Sequence, residues 1–345
     1  MKIVAALLVA AGLGVGLGAF VLYQHVSAPY RGYTGQEQYV EIPAGAGTSA
    51  IGRRLVSAGV VSDTVTYRVA LWLSGRARHL QAGDYRFEGA MTAGEVIEKI
   101  ARGDVDRISV TFPEGLTIVE MSAIFEAHGL GPAAAFVEAA RSVRPAPEFD
   151  PAARDLEGYL FPDTYAVSRR TNAAHLVTAM LERFEHVLTP EVRQAASARG
   201  FTIRQLVTLA SLVEKETARA DERPLVAAVY ANRLQKNMGL QCDPTVIYAL
   251  QRAGRFDGNL RRDDLLFDSP YNTYRYAGLP PGPIAAPGKA ALEAAANPAE
   301  TEFLYFVSRN DGSHEFARTL EEHNRNVQRF QVEYFKERRR QAAQH

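Results

Sequence analysis

The chain has 345 residues, 47% of them hydrophobic and 23% charged, an ordinary globular composition long enough for two folded units. Lys+Arg and Asp+Glu balance at 39 each, so no overall positive field favours nucleic acid, and none is expected as a partner. Cys242 is the sole cysteine, which excludes an intramolecular disulfide and leaves the redox compartment open.

From Ile3 to Tyr23 the chain runs 21 residues without a charge, close to the roughly 20 that cross a bilayer as a helix. A cleaved signal peptide is the rival reading. The run is longer than a signal's apolar core, however, and the nearest small-residue site, Val26-Ser27-Ala28, is followed by Pro29. An uncleaved anchor is therefore expected over 1–25, with a linker over 26–38. Lys2 alone is the charge that places the N-terminus in the cytoplasm and the body outside.

An internal echo follows. Tyr39–Gly45 leads into Thr48, Ile51, Leu55 and Gly59, and Ser109–Gly115 leads into Thr117, Met121, Phe125 and Gly129. Both copies read as a strand, a Pro-x-Gly turn and a Thr-started helix closed by Gly. Between them Thr64–Ser74 reads as a helix, 82–87 as a strand and Thr92–Ala101 as a capped helix, so a small α+β domain is expected over 39–108. It holds no cluster of His, Cys or carboxylates, which favours binding or spacing over catalysis.

A larger mixed α+β domain is expected over 109–345. After a helix at Thr117–Ala127 and a Pro/Ala-rich crossing, Glu157–Tyr165 is dense in aromatics and holds Glu157 and Asp163. It suits a sugar, which stacks its C–H faces and needs acceptors for its hydroxyls, but the residues by themselves favour a core turn capped by Asp163. A helix over Ala173–Phe184 leads to Thr202–Thr217, where Leu206, Ala210, Val213 and Thr217 recur at helical spacing and face inward. Glu214 and Glu216 flank that face and Lys215 points to solvent. A carboxyl at the edge of an apolar face is partly desolvated, which raises its pKa toward the range of a general acid. Periodicity does not choose between the two acids.

Asp221–Lys236 reads as a capped helix ended by Gly239, and Asp243-Pro244-Thr245 as an N-cap with Pro at the first helical position. Ser269–Tyr274 and Gly278–Ile284 form stiff Pro/Gly-shaped loops of the kind that line sites. Pro287-Gly288 opens a helix. Phe303–Ser308 reads as a buried strand, turned by Asn310–Ser313 into a hairpin with His314–Ala317, and Thr319 caps a charged last helix. Paired histidines at metal-binding spacing, a Gly-x-Ser-x-Gly elbow and a Gly-rich phosphate loop are all missing from the sequence, so no metal or other cofactor is expected. Cys242 with His314 or His323 reads as an inert thiol rather than a dyad. What remains is carboxylate chemistry in an aromatic cleft, pointing to glycosidic bond cleavage.

Seven motifs occur in a consistent order: 157–165 (Glu-Gly-Tyr-Leu-Phe-Pro-Asp-Thr-Tyr), 210–217 (Ala-Ser-Leu-Val-Glu-Lys-Glu-Thr), 232–234 (Asn-Arg-Leu), 240–248, 271–274 (Tyr-Asn-Thr-Tyr), 278–284 (Gly-Leu-Pro-Pro-Gly-Pro-Ile) and 314–316 (His-Glu-Phe). Together they resemble the membrane-anchored endolytic murein transglycosylases, the MltG family, over residues 40 to 330. The resemblance implies an N-terminal transmembrane helix, a LysM-like domain over 39–108 and a periplasmic catalytic domain at the inner membrane. Its implied partners are peptidoglycan glycan strands, the membrane and peptidoglycan synthases. It puts the catalytic acid at Glu216, with Glu157, Asn232, Gln241, Asp243, Tyr271, Asn272 and His314 as cleft residues. The implied reaction cuts between N-acetylmuramic acid and N-acetylglucosamine inside nascent strands and leaves 1,6-anhydro ends, terminating elongation. A muramidase-type hydrolase and a non-catalytic wall-binding scaffold are the alternatives. The sequence departs from the family pattern at Cys242, where a hydroxyl residue is expected.

Overall fold

A computed structural model describes residues 2–146 and 149–342, and the side chains of all of these except 2–12, 15, 19 and 342. Its contacts divide the chain into two units, Met1–Ser109 with Ala166–Arg170, and Val110–Tyr165 with Thr171–His345.

In the first unit, helix α1 (Lys2–Ser27) occupies the segment expected to be an anchor. Among the described residues no helix is long and apolar enough to cross a membrane. Much of the apolar run has its side chains outside the described residues, so a helix is established there and a membrane span is not. Next come β1 (Gln38–Ile42), α2 (Thr48–Ser57), α3 (Thr64–Ser74), β2 (Gly83–Phe87), α4 (Ala93–Arg102) and β3 (Ile108–Thr111), the last of which leads into the second unit. Strands β1 and β2 pair antiparallel with Val40 opposite Tyr85 and Ile42 opposite Gly83. Alternation puts Val40, Ile42, Tyr85 and Phe87 on one face, where they pack with Ile51 and Leu55 of α2, Tyr67 of α3 and Val96, Ile97 and Ile100 of α4. Gly52 lets α3 approach α2, since a Cβ there would stand 2.4 Å from the Tyr67 ring. Thr92 and Glu95 cap α4 reciprocally.

The second unit continues with α5 (Ile118–Ala127), α6 (Ala133–Ser142), β4 (Thr164–Val167), α7 (Ala173–Val187), α8 (Pro190–Ala198), α9 (Ile203–Glu216), α10 (Arg223–Gln235), α11 (Asp243–Arg252), α12 (Lys289–Ala296), β5 (Tyr305–Ser308), β6 (His314–Ala317), α13 (Leu320–Val327) and, after a π-helical stretch, α14 (Tyr334–Ala342). The echo holds in the backbone: Gly45 and Gly115 both turn with positive φ, as do the closing glycines Gly59 and Gly129. Strand β3 pairs with β4.

Helix α9 is the axis of the unit, packed by α8, α10, α11 and α12. Thr202 and Gln205 form its capping box. The inward stripe expected from periodicity is too narrow a description, because every residue from Leu206 to Val213 is buried. The polar members of that run are satisfied locally: Thr208 Oγ1 donates to the Arg204 carbonyl at 2.7 Å, and Ser211 Oγ to that of Thr208 at 2.7 Å.

Several boundaries differ from expectation. Helix α10 starts at Arg223, with Glu222 as an N-cap residue whose carboxylate serves elsewhere, and its C-terminal turn is made at Asn237, φ 53°, rather than Gly239. Cys242, not Asp243, is the N-cap of α11, so the Asp243 carboxylate is not spent on capping. Strand β5 is half-buried along its length, because it pairs only with β6.

Candidate active site

The C-terminal end of α9 delivers Glu216 to a cleft of about 250 Å³, lined by Glu216, Arg233, Leu240, Gln241, Asp243, Tyr274, Phe306 and His323. Tyr230, buried on α10, donates its hydroxyl to Glu216 Oε1 at 2.7 Å. Burial pushes the Glu216 carboxyl pKa up; the Tyr230 hydroxyl and the nearby Cys242 thiol pull it down, Asp243 pushes it up and His314 pulls it down. The net direction is upward, which favours the protonated form relative to an ordinary carboxyl group. Asp243, the other acid on this wall, accepts the Tyr274 hydroxyl at 2.6 Å. Gln241 sits in the left-handed region at φ 52°, an uncommon place for a residue with a Cβ.

The rest of the wall is held by braces. Asn232 donates to the carbonyls of Thr301 at 2.7 Å and Phe303 at 3.0 Å. Arg233 donates from Nε to Leu304 at 2.6 Å and from Nη1 to Gly239 and Leu240 at 3.1 and 2.9 Å. The Asn-Arg-Leu motif thus ties the approach to β5 and the 239–240 turn to α10, and Asn232 is a brace rather than a cleft group. Asn272 is a brace as well and fully buried, donating to the carbonyls of Leu265 and Phe267 at 3.0 and 2.7 Å. Thr273 next to it staples the 240–245 turn, accepting from the Cys242 amide at 3.0 Å and meeting Thr245 Oγ1 at 2.9 Å.

His314 does come near Glu216. Its Nδ1 lies 2.6 Å from Glu222 Oε2 and its amide donates to Glu222 Oε1 at 2.9 Å. A carboxylate can only accept, so Nδ1 carries the hydrogen, and the ring is held by its inner nitrogen with Nε2 left free of this bond. Glu222 is buried and also takes the Thr217 hydroxyl at 3.3 Å, so the residue that follows the catalytic candidate and the hairpin that carries His314 are fixed by one side chain.

Glu214 has a different fate. Its Oε2 accepts the Gly288 amide at the start of α12 at 2.9 Å, and Arg223 Nη2 stands 3.5 Å from Oε1. Burial raises its pKa first, with the Gly288 amide lowering it. Lys215, expected to point away, is exposed but donates Nζ to the Gly115 carbonyl at 3.1 Å.

Glu157 and Tyr271 belong to a second and larger cleft of about 640 Å³, walled by Asp155, Glu157, Arg204, Arg252, Tyr271 and Pro281-Gly282-Pro283. Glu157 Oε1 accepts the Ile118 amide at 3.0 Å and Oε2 the Tyr248 hydroxyl at 3.1 Å. Burial pushes its pKa up to about 8 against the pull of those donors. Gly158 beside it allows the proline loop to close in, since a Cβ would stand 2.3 Å from Pro283. The expected cleft residues therefore divide: Glu216, Gln241 and Asp243 share one wall, His314 stands close behind it, Glu157 and Tyr271 line another cleft, and Asn232 and Asn272 brace.

Sequence reasoning named no site role for Tyr230, Tyr274, Arg233 or Phe306, and weighed His323 only as a thiol or metal partner. Tyr274 lay within the quoted Tyr-Asn-Thr-Tyr motif, but its pairing with Asp243 spans 31 residues and has no local signal. His323 follows from Thr319 opening α13; it stacks on Tyr305 with centroids 5.2 Å apart, and burial and Arg233 lower its pKa.

Scaffold and site together define a class, an α+β protein with a partly buried carboxyl group of raised pKa on the wall of a cleft. The YceG-like family model matches residues 40–329, and the chain belongs to that family. It is 30% identical over 333 residues, 91% of this chain and 90% of the relative, to the endolytic murein transglycosylase of Bacillus subtilis (strain 168). To the protein of that name from Streptococcus pneumoniae serotype 2 it is 32% identical over 318 residues, 84% of this chain, which spans 57% of that relative's length. The fold is similar to the crystal structure of a yceG-like protein from Listeria monocytogenes, with a TM-score of 0.57 at 29% identity over 84% of this chain and 98% of that one.

Proposed function

We propose that the chain is an endolytic peptidoglycan transglycosylase, a lytic enzyme that cuts the N-acetylmuramic acid–N-acetylglucosamine bond inside nascent strands. The observation that carries this reading is the Glu216 carboxyl, partly buried, raised in pKa and held through Oε1 by Tyr230. Protonated Glu216 gives its proton to the glycosidic oxygen as the bond to the muramyl C1 breaks. The resulting carboxylate takes the proton of the muramyl C6 hydroxyl, whose oxygen closes on C1 and leaves a 1,6-anhydro end. The proton removed equals the proton given, so Glu216 is restored without water. An intramolecular hydroxyl is already in place, which replaces a second carboxylate nucleophile. That fits a wall whose other acid, Asp243, is engaged by Tyr274. Gln241, Asp243 and Tyr274 line the path of the strand, and His314 sets the field beside the acid.

The β1-α2-α3-β2 order of the first unit, with its strands antiparallel, supports a LysM-like glycan-binding domain over 39–108, ahead of the catalytic domain over 109–345. The uncharged Ile3–Tyr23 run inside α1 supports a single inner-membrane anchor with its N-terminus in the cytoplasm and the catalytic domain in the periplasm, beside the peptidoglycan synthases. Digestion of uncrosslinked glycan by the wild type and Glu216→Gln, with mass analysis of the ends, tests the reading. Anhydro ends from the wild type and no cleavage by the variant are expected. Reducing ends would make the enzyme a hydrolase, and an unaffected Glu216→Gln would move the acid elsewhere or leave a scaffold.

A further inference from the structure

The cleft beside Glu157 is larger than the one at Glu216 and is not explained by acid catalysis. Its volume, about 640 Å³, lies in the range of small-ligand sites. Arg252 sits over two rings, 5.7 Å from the Tyr248 centroid and 5.4 Å from that of Tyr271. Those rings pack 5.0 Å apart. The guanidinium is thereby oriented before any ligand arrives, which lowers the cost of ordering it on binding. Among the described residues no carboxylate lies in salt-bridge range of Arg252; its nearest polar partners are the Tyr248 and Tyr271 hydroxyls, at 3.5 and 3.4 Å. Arg204 on the same wall is spent by contrast. Its Nε lies 2.9 Å from the buried Asp150 carboxylate, and it donates to the carbonyls of Pro281 and Ala152 at 2.6 and 2.9 Å.

Glu157 does not neutralise Arg252, because burial keeps its carboxyl largely protonated and its oxygens already serve Ile118 and Tyr248. Asp155 is the other acid of the wall, with Oδ1 accepting the Glu157 amide at 3.2 Å and Oδ2 left to act as an acceptor, alongside Arg252 and the exposed Arg154. A cleft with a planar cationic fork, an acceptor beside it and proline on the remaining wall matches a ligand that offers a carboxylate, N–H groups and apolar surface. A bare phosphate offers no N–H to Asp155. We infer that this cleft is a second binding site, distinct from the one at Glu216, which takes the free carboxylate of a short acidic peptide on Arg252 with Arg154 at its rim.

The test is calorimetric titration of the full chain with acetyl-Ala-Glu-Ala and with its neutral counterpart acetyl-Ala-Gln-Ala amide. The acidic peptide should bind the wild type at least about tenfold more tightly than the neutral one, and Arg252→Gln should remove that difference. Arg154→Gln, at an exposed position that leaves the fold intact, should weaken the acidic peptide alone. Arg252→Lys, which keeps the charge and loses the fork, should fall between wild type and Arg252→Gln. Glu216→Gln should bind both peptides as the wild type does, since Glu216 lines the other cleft. Absence of binding, equal affinity for the two peptides, or wild-type affinity in both Arg154→Gln and Arg252→Lys would overturn the inference. So would displacement of the peptide by inorganic phosphate below the peptide's own Kd. None of these readouts depends on strand cleavage, so the inference stands or falls apart from the proposed activity.

Discussion

The two clefts of the larger unit are built on one device, a glutamate pressed into protein and hydrogen-bonded by a tyrosine, yet the donors around the two carboxyls differ in kind. Glu157 accepts a main-chain amide, that of Ile118 in the first turn of α5, as well as the Tyr248 hydroxyl. Glu214 repeats the pattern with the Gly288 amide at the start of α12. A main-chain amide is fixed by its helix, so these acids anchor helix starts and cannot let go without loosening them. The donor to Glu216 is the Tyr230 hydroxyl, and the Cys242 thiol stands near enough to lower the acid's pKa; both groups are rotatable. A carboxyl that gains and loses a proton in each turnover needs partners that turn with it.

The sharpest break of this comparison is substitution of the acids themselves. Glu216→Gln should lower strand cleavage about 10³-fold or more while leaving the unfolding midpoint close to wild type, because the amide keeps the shape and still accepts from Tyr230. Glu214→Gln should move the opposite way, costing stability through the weakened hold on Gly288 and Arg223 with a smaller loss of rate. Release of soluble glycan fragments and denaturant unfolding of the same preparations measure both.

The next effect separates Glu157 by pH. Its folded pKa of about 8 lies above the ordinary value of 4.5, so its contribution to stability is fully present below 4.5 and is lost as pH rises through 8. Part of the side chain is open to the cleft, so the loss should come to about 2–4 kcal/mol. Glu157→Gln should flatten that dependence, seen as urea midpoints that no longer fall between about pH 5 and about pH 9.

A smaller effect tests the rotatable donor. Tyr230 favours the ionised form of Glu216, so Tyr230→Phe should raise the acid's pKa and move the high-pH limb of the rate profile upward. The plateau rate should fall about tenfold, the worth of one positioning hydrogen bond. A lower rate with an unmoved limb would reduce Tyr230 to a packing residue.

How far the sequence could carry these distinctions follows from the range of the interactions. Helix α9, its Thr202–Gln205 cap and the repeated strand–turn–helix were legible because their determinants lie within a few residues. Helix α8 was equally available, with Thr189 as N-cap and Pro190 at its start, and was passed over; α6 has little but Phe136 and alanines to mark its inner face. What separates Glu216 from Glu214 was legible only through the motif resemblance and not from helix periodicity, because the Gly288 amide that occupies Glu214 lies 74 residues away in the chain. The division of Glu157 and Gln241 between clefts has the same origin, and so does the bracing by Asn232 and Asn272, whose amides look alike in sequence whether they meet a sugar or a carbonyl.

The smallest effect concerns Gln241, which lines the Glu216 cleft at φ 52°. A left-handed residue with a Cβ carries about 1 kcal/mol of strain that glycine does not. Glycine gives back part of this through its freer unfolded chain, so Gln241→Gly should be as stable as the wild type or more so by less than about 1 kcal/mol. Gln241→Ala keeps the strain and should gain nothing. Both remove the amide from the wall, so both should lose the same severalfold in kcat/KM if that amide meets the strand. If only Gln241→Gly loses rate, the strained backbone rather than the side chain is what Gln241 contributes, by holding the turn before Cys242 and Asp243 in place.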